Sequence, residues 1–414
     1  MKAFTLKNIN IYLVLGIIYA FWLLNLLLRS EGLLDDFDVF FHSGKRLLNG
    51  ENIYGEPHYI NLRYFYSPLF SCIMALFQEV DVRVMKVLWW FLNVVLLLRV
   101  IYLIYTHIIA NATHRVFIYF ITILLMSKIV LLNVVGNQMT IVMLWTALEA
   151  FQQFKKDRLF LSVFILCLGI NIKLLPMVMV PYLLYISDKP GKVFIYGITV
   201  FFALAFIPAV FIGWDYNLFL ISEWWKTLNP VSSIHAVQTY EEKILDAGAM
   251  ISKFLSDKPV YNEPSLNFAA LSDGTIFLLT NVVRVALLGL VAFMAYKIKR
   301  PVLGIHQHIL VLAAFLALVP ICFPHQREYS FLFHMPLIAI FMSLIDQEKN
   351  WKAGVLFAAF ALLSGMLTWV DFTGEAIVAV FMYYRLITLG FMLLLVFYVL
   401  YALRLHAKPA MPAN

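Results

Sequence analysis

The segment Asp35-Asp36-Phe37-Asp38 carries three carboxylates a few residues after the first hydrophobic stretch of the chain. Carboxylates are costly at a membrane boundary, so such a cluster indicates a function. A carboxylate held within hydrogen-bond distance of a hydroxyl group is a competent general base. We therefore expect Asp36 or a neighbour to activate a hydroxyl. The competing interpretation is a solvated helix start, where the helix dipole favours carboxylates.

Side chains that suit a phosphate group lie in two other short motifs. Lys173 ends the apolar run before a hairpin, and His325 and Arg327 lie in the sequence PHQREY. Arg offers a phosphate a bidentate fork and Lys a point charge, while His325 can add a donor or accept a proton. A base and a phosphate clamp suit displacement of a phosphorylated leaving group by an acceptor hydroxyl. Alternatively, Lys173 snorkels to the membrane surface and Arg327 pairs with Glu328.

A polar turn and an aromatic cluster complete the candidate site. The GNQ motif at 136–138 suits a turn, and Asn137 and Gln138 can also contact an acceptor. Aromatic faces suit sugar rings and lipid tails, but they also form the ordinary belt at a membrane interface. The aromatic residues near the carboxylates are Phe37, Phe40, Phe41, Tyr54, Tyr59, Tyr64, Phe65 and Tyr66.

Nothing in the sequence requires a metal or another cofactor. The cysteines are few, odd in number and without metal spacing, so they imply neither a zinc site nor a disulfide framework. They are Cys72, Cys167 and Cys322. The net charge of +7 follows from the charge distribution of a membrane protein and needs no nucleic-acid partner.

The elements that position these residues are membrane helices. The chain has 414 residues, of which 63% are hydrophobic and 13% charged, whereas soluble proteins are about 25% charged. We predict an all-α, polytopic membrane protein with about twelve transmembrane helices, because its apolar runs are long and continuous. The predicted spans are 11–28, 85–105, 116–134, 139–154, 159–170, 176–186, 193–212, 275–296, 302–322, 329–345, 353–370 and 376–403.

Basic loops set the predicted orientation. KKDR, DKPGK, KIKR, DQEKNWK and the RLHAK tail place both termini in the cytoplasm by the positive-inside rule. Asp36, Lys173, Arg327 and the GNQ motif then all fall on the outer side, and we expect them to line one polar cavity. The sequon at 111–113 would be cytoplasmic and silent.

We expect a single membrane domain over residues 1–414. Its first outer loop, 29–84, contains an interfacial helix near 67–77, and its large outer loop spans 213–274. Lys128 and Arg385 lie within predicted spans, in their outer halves, where snorkelling of either side chain costs little. A role of Arg385 at a donor phosphate is the alternative.

The first half of the chain resembles glycosyltransferase family 87. DFDVFFHSGKRLLNGENIY resembles the pattern Asp-aromatic-x-Val-aromatic, a small pair and then Leu-x-x-Gly-x-x-x-Tyr, and FYSPLF resembles the Tyr-x-Pro-Leu that follows it. GNQ near a helix end and the Lys-x-x-Pro that starts at Lys173 complete the set. The second half matches mainly through PHQREY.

This resemblance implies a GT-C membrane fold and transfer of a sugar, such as mannose, with inversion. The donor would be a polyprenyl-phosphate-linked sugar at the outer face of the cell membrane, and the acceptor a lipid or glycan. The position that matches the family's essential aspartate is Asp36. Two alternatives stay open. One is a transporter or flippase with Lys128, Lys173 and Arg385 in its path, and the other is a polysaccharide ligase or polymerase that uses a pyrophosphate carrier.

Overall fold

The computed structural model of the protein describes residues 36–55, 64–109, 112, 114–228, 243–256, 258 and 267–408. These residues form helices and their connections, with two isolated bridges, Ser256 to Leu271 and Val302 to Ile305. The all-helical prediction is therefore confirmed for the described part of the chain. The predicted span 11–28, Asp35, Tyr59 and the Asn and Thr of the sequon lie outside the described residues.

Nineteen α-helices follow one another in the described residues. They are α1 (Asp36–Leu48), α2 (Pro68–Ala75), α3 (Val82–Leu103), α4 (Arg115–Val135), α5 (Thr140–Lys155), α6 (Leu159–Ile172), α7 (Met179–Ile186), α8 (Pro190–Phe206), α9 (Ala209–Ile212), α10 (Trp214–Leu228), α11 (Ala247–Leu255), α12 (Asp273–Lys297), α13 (Gln307–Ala317), α14 (Val319–Cys322), α15 (Met335–Glu348), α16 (Trp351–Leu363), α17 (Val370–Thr373), α18 (Glu375–Tyr383) and α19 (Leu386–Ala407). Short 3-10 segments precede α7 (Leu175–Val178) and α15 (Glu328–His334).

Six helices of the described chain are long and apolar enough to cross a membrane. They are Val82–Ile108, Arg115–Val135, Pro190–Ile212, Asp273–Lys297, Glu328–Glu348 and Leu386–Ala407. Four further apolar helices are shorter, among them Leu159–Ile172. At about 1.5 Å per residue such a helix is shorter than a bilayer core of about 30 Å. The protein is therefore a multi-pass membrane protein, and the count of about twelve spans stays a prediction.

The span predicted at 302–322 becomes helical only at Gln307, because Leu303 and Gly304 form a turn with φ values of 46° and 75°. Two further predicted spans are interrupted in the structure. The span predicted at 376–403 is broken at Arg385, whose φ of 50° places it in the left-handed region between α18 and α19. The span predicted at 353–370 ends at Leu363, and Gly365 follows with a φ of 69°. Left-handed backbone cannot continue a right-handed helix. Hydropathy does not reveal these breaks, because apolar residues flank both of them.

Burial divides the helices into an inner and an outer set. Helices α5, α13 and α15 are buried along most of their length. By contrast, α8 exposes apolar side chains such as Phe194 and Phe202. Exposed apolar helix faces fit contact with lipid, since all backbone groups of a helix are hydrogen-bonded internally. The inner helices therefore form the scaffold against which the polar segments are held.

Candidate active site

Asp36 is the first residue of α1, and aromatic packing fixes this end of the helix. Phe37 and Phe40 are completely buried. The ring of Phe40 lies 4.7 Å from that of Tyr66 and 5.4 Å from that of Phe70. Such aromatic pairs stabilise by about 0.5–1.5 kcal/mol beyond their buried area. The start of α1 is thereby held against the FYSPLF segment.

The carboxylates of Asp36 and Asp38 have different surroundings. Asp38 is buried, and one of its carboxylate oxygens lies 2.8 Å from the Nζ atom of Lys86. Asp36 is partly exposed, and its carboxylate has no hydrogen-bond or ion-pair partner among the residues that the structure describes. Asp38 therefore has a structural role, whereas Asp36 is available to a substrate.

Lys173 lies at the tip of the hairpin between α6 and α7. The residue leaves the helix in an extended conformation, and its backbone amide donates to the carbonyl of Gly169 over 2.9 Å. Its Nζ atom lies 5.0 Å from the ring centre of Tyr66. The preceding carbonyl, that of Ile172, accepts a hydrogen bond of 3.3 Å from the backbone amide of Ser67. The hairpin tip is thus fixed to the segment that carries Tyr66.

Charges from three parts of the chain interact at this tip. Burial lowers the pKa of Lys173 to about 8, the negative charge of Asp36 acts against this shift, and the positive charge of Arg327 adds to it. Burial also raises the pKa of Tyr66 well above its ordinary value, with a further rise from Tyr329 and Asp36 and an opposing effect of Arg327. Asp36, Lys173 and Arg327 therefore lie close enough to interact electrostatically around Tyr66.

His325 reaches the same region by a different contact. Its φ of 58° places it in the left-handed region, and its ring stacks on that of Phe65 with 5.4 Å between centroids. The next residue, Gln326, is held because its carbonyl accepts a hydrogen bond of 2.7 Å from the amide of Leu245. Non-glycine residues in this conformation are costly and cluster at functional sites. His325 is therefore placed beside Phe65, the neighbour of Tyr66.

The GNQ motif forms the predicted turn. Asn137 has a φ of 50°, and its carbonyl accepts a hydrogen bond of 3.1 Å from the indole of Trp89. The ring of Trp89 lies 5.9 Å from that of Phe37, which links the turn to the aromatic cluster. The side-chain amide of Gln138 donates to the carbonyl of Gly136 over 3.0 Å. Its Oε1 atom is buried, and the described chain offers it no hydrogen-bond donor.

Lys128 and Arg385 are both buried within the protein. The two residues are 7% and 1% exposed. Lys128 forms an ion pair of 2.5 Å with Glu328, so Glu328 has a partner other than Arg327, which was one alternative from the sequence. The partners of Lys128 are distant in the sequence, so no local sequence pattern predicts these contacts.

The described residues contain no group of three or more His, Cys, Asp or Glu side chains that could hold a metal ion. The three cysteines are free. What the site contains is a carboxylate, cationic side chains and aromatic rings. These groups can take a proton from a hydroxyl and hold an anion.

Fold and site together define a helical, multi-pass membrane protein with a partly exposed carboxylate beside cationic groups and aromatic rings. The model of Glycosyltransferase family 87 matches residues 64–320, more than half of the chain, and the protein belongs to this family. Family membership makes it a glycosyltransferase, with a sugar donor and an acceptor as substrates, and it confirms the predicted resemblance. A search of curated proteins and a search of solved structures each found no match.

The matched segment covers part of the candidate site. It contains Tyr66, Asn137, Gln138 and Lys173, whereas Asp36, His325 and Arg327 lie outside it. The folded chain nevertheless brings Asp36 and Arg327 within electrostatic reach of Lys173. Residues outside the segment matched by the family model are therefore close to residues inside it in the folded chain.

Proposed function

We propose that the protein is an inverting glycosyltransferase that uses a polyprenyl-phosphate-linked sugar. It moves a hexose, such as mannose, to a hydroxyl of a lipid or glycan acceptor at the outer face of the cell membrane. The observation that carries this proposal is the electrostatic grouping of Asp36, Lys173 and Arg327 around Tyr66. A carboxylate for a proton and two cations for a phosphate are what such a transfer needs.

Asp36 is the general base of this reaction. The acceptor oxygen attacks C1 of the sugar from the side opposite the phosphate, and Asp36 takes the hydroxyl proton. The bond from C1 to the phosphate oxygen breaks, and its electron pair stays on the phosphate. One displacement inverts the configuration at C1. The contrast between Asp36 and the paired Asp38 supports this assignment.

Lys173 and Arg327 hold the donor phosphate. Their positive charges stabilise the negative charge that develops on the leaving group, so no protein acid has to protonate it. The surroundings of Lys173 are partly desolvated, as its lowered pKa indicates. Charges interact more strongly there than in bulk water.

The remaining residues contact the two substrates. His325 donates a hydrogen bond to the donor phosphate from its place against Phe65. Tyr66 keeps its phenol proton at neutral pH and can donate it to an oxygen of the donor. Asn137 and Gln138 contact the acceptor, and the buried Oε1 atom of Gln138 is suited to accept a hydrogen bond from an acceptor hydroxyl.

A donor screen tests the proposal. Purified protein in lipid nanodiscs is given radiolabelled polyprenyl monophosphate sugars or pyrophosphate-linked sugars, with a lipid extract of the producing cells as acceptor. We expect product from a monophosphate donor without any gradient, and the same yield with a chelator. Product from pyrophosphate donors alone would favour the ligase or polymerase. In sealed vesicles, movement of the labelled lipid across the membrane without product would favour a transporter.

A further inference from the structure

Two side chains of α4 hold the segment that directly follows Arg327. The Nζ atom of Lys128 lies 2.5 Å from the carboxylate of Glu328 and donates a hydrogen bond of 3.1 Å to the hydroxyl of Thr368. The amide of Asn133 donates to the carbonyl of Tyr329 over 2.8 Å. Helix α4 therefore fixes both the charge and the backbone of this segment.

The ion pair between Lys128 and Glu328 is largely shielded from solvent. The two side chains are 8% and 16% exposed. In such surroundings, removal of either side chain is destabilising, because it leaves the other charge buried and uncompensated. Without Lys128, the carboxylate of Glu328 would attract the cation next to it in the chain, Arg327.

Arg327 and Glu328 have different surroundings although they are adjacent. Arg327 is extended, with a φ of −104° and a ψ of 172°, and Glu328 starts the 3-10 segment. Arg327 interacts electrostatically with Lys173 and Tyr66, whereas Glu328 contacts α4. The pair with Lys128 thus separates the negative charge of Glu328 from the cationic groups beside Tyr66.

We propose that Lys128 and Asn133 are positioning residues of the donor site. They bind Glu328 and Tyr329 against α4, which keeps the Glu328 carboxylate from neutralising Arg327 and presents the guanidinium to the donor phosphate. This inference rests on the proposed function, since it needs a phosphate that Arg327 binds.

The test measures binding of undecaprenyl phosphate to the full chain in nanodiscs, alongside thermal unfolding. Lys128→Met is expected to weaken binding about tenfold or more, equivalent to at least about 1.4 kcal/mol. The double variant Lys128→Met/Glu328→Gln removes the stranded carboxylate and is expected to restore binding to within about threefold of wild type. Lys128→Arg keeps the charge and is expected to bind normally.

Arg99→Met is the matched control. It breaks another ion pair between helices, since the guanidinium of Arg99 lies 2.8 and 3.1 Å from the two carboxylate oxygens of Glu149. This pair joins α3 to α5 and includes neither Arg327 nor Glu328, so we expect lower stability and unchanged binding.

Wild-type binding by Lys128→Met, or no recovery in the double variant, would overturn the inference and leave the proposed function standing. Failure of the wild type itself to bind undecaprenyl phosphate would contradict the proposed function, and the inference with it.

Discussion

At the scale of single residues, the site depends on which charges already have a partner within the protein. Asp38 is paired with Lys86 and Glu328 with Lys128, while the described chain provides no such partner for Asp36. A carboxylate that is already paired gains less from a substrate hydroxyl than an unpaired one. This contrast supports the proposal that Asp36 is the base.

Binding of the donor phosphate is expected to weaken as the pH rises above about 8. In the ligand-free protein the Nζ atom of Lys173 loses its proton near this value, and with it the charge that attracts phosphate. A bound anion moves this loss to higher pH, because it favours the charged form. The measurement is the Kd of undecaprenyl phosphate between about pH 7 and 10. Lys173→Arg should remove the alkaline loss, and a flat wild-type profile would contradict the role of Lys173.

The free energy of unfolding is expected to change with pH in the opposite direction to donor binding. The ordinary pKa of Lys173 is 10.5 and its folded value is about 8. Between these values the unfolded state binds more protons, so the contribution of Lys173 to the free energy of unfolding rises with pH. Deprotonation of Lys173 therefore weakens binding without destabilising the fold.

The sequence predicted the charged residues of the site but not their ion-pair partners. The carboxylate cluster, Lys173 and Arg327 were visible because charged residues are rare in so apolar a chain. The partners of Lys128 and Asp38 were not, because they come from distant parts of the sequence and depend on the packing of α4 and α3.

At the scale of elements, long apolar runs predicted helix bounds well. The span predicted at 116–134 corresponds to Arg115–Val135, and that at 159–170 to Leu159–Ile172. The interruption at Arg385 was missed, because it depends on the backbone conformation of one buried residue. Breaks of this kind are set by tertiary contacts, which hydropathy does not contain.

The N-terminus of α2 is expected to couple stability to donor binding. The hydroxyl of Ser67 accepts a hydrogen bond of 3.3 Å from the amide of Phe70, and Ser67 is adjacent to Tyr66. Ser67→Ala should lower the free energy of unfolding by about 0.5–2 kcal/mol and weaken binding of undecaprenyl phosphate, because Tyr66 is held less firmly.

The cap of α12 offers a control for this prediction. Ser272 accepts a hydrogen bond of 3.4 Å from the amide of Thr275. Ser272→Ala should destabilise by a similar amount with unchanged binding. Equal loss of binding in the Ser67 and Ser272 variants would show that α2 has no special role.

At the scale of the whole molecule, folding collects the site from distant parts of the chain. Asp36 starts α1, Lys173 follows α6, and Arg327 follows α14. The sequence predicted that these residues share one side of the membrane from the charges of the loops alone. It could not predict their mutual distances, because those depend on the packing of helices far apart in the chain.

The orientation in the membrane can be tested by cysteine labelling. Lys156 and Lys226 are exposed, in the KKDR loop and in α10 respectively. In a variant without its native cysteines, a membrane-impermeant maleimide should label Lys226→Cys in intact cells. It should label Lys156→Cys only after lysis, because the positive-inside rule places the KKDR loop in the cytoplasm. The reverse pattern would place the site on the cytoplasmic face.

The role of Asp36 is tested most directly by single-turnover transfer in matched variants. Asp36→Asn preserves size and polarity but removes the base, so the rate of sugar transfer should fall about 100- to 10,000-fold. Its binding of undecaprenyl phosphate and its thermal stability should stay near those of the wild type. Asp38→Asn should transfer sugar but unfold at lower temperature, because it loses the ion pair with Lys86. Transfer by Asp36→Asn at the wild-type rate would contradict the account.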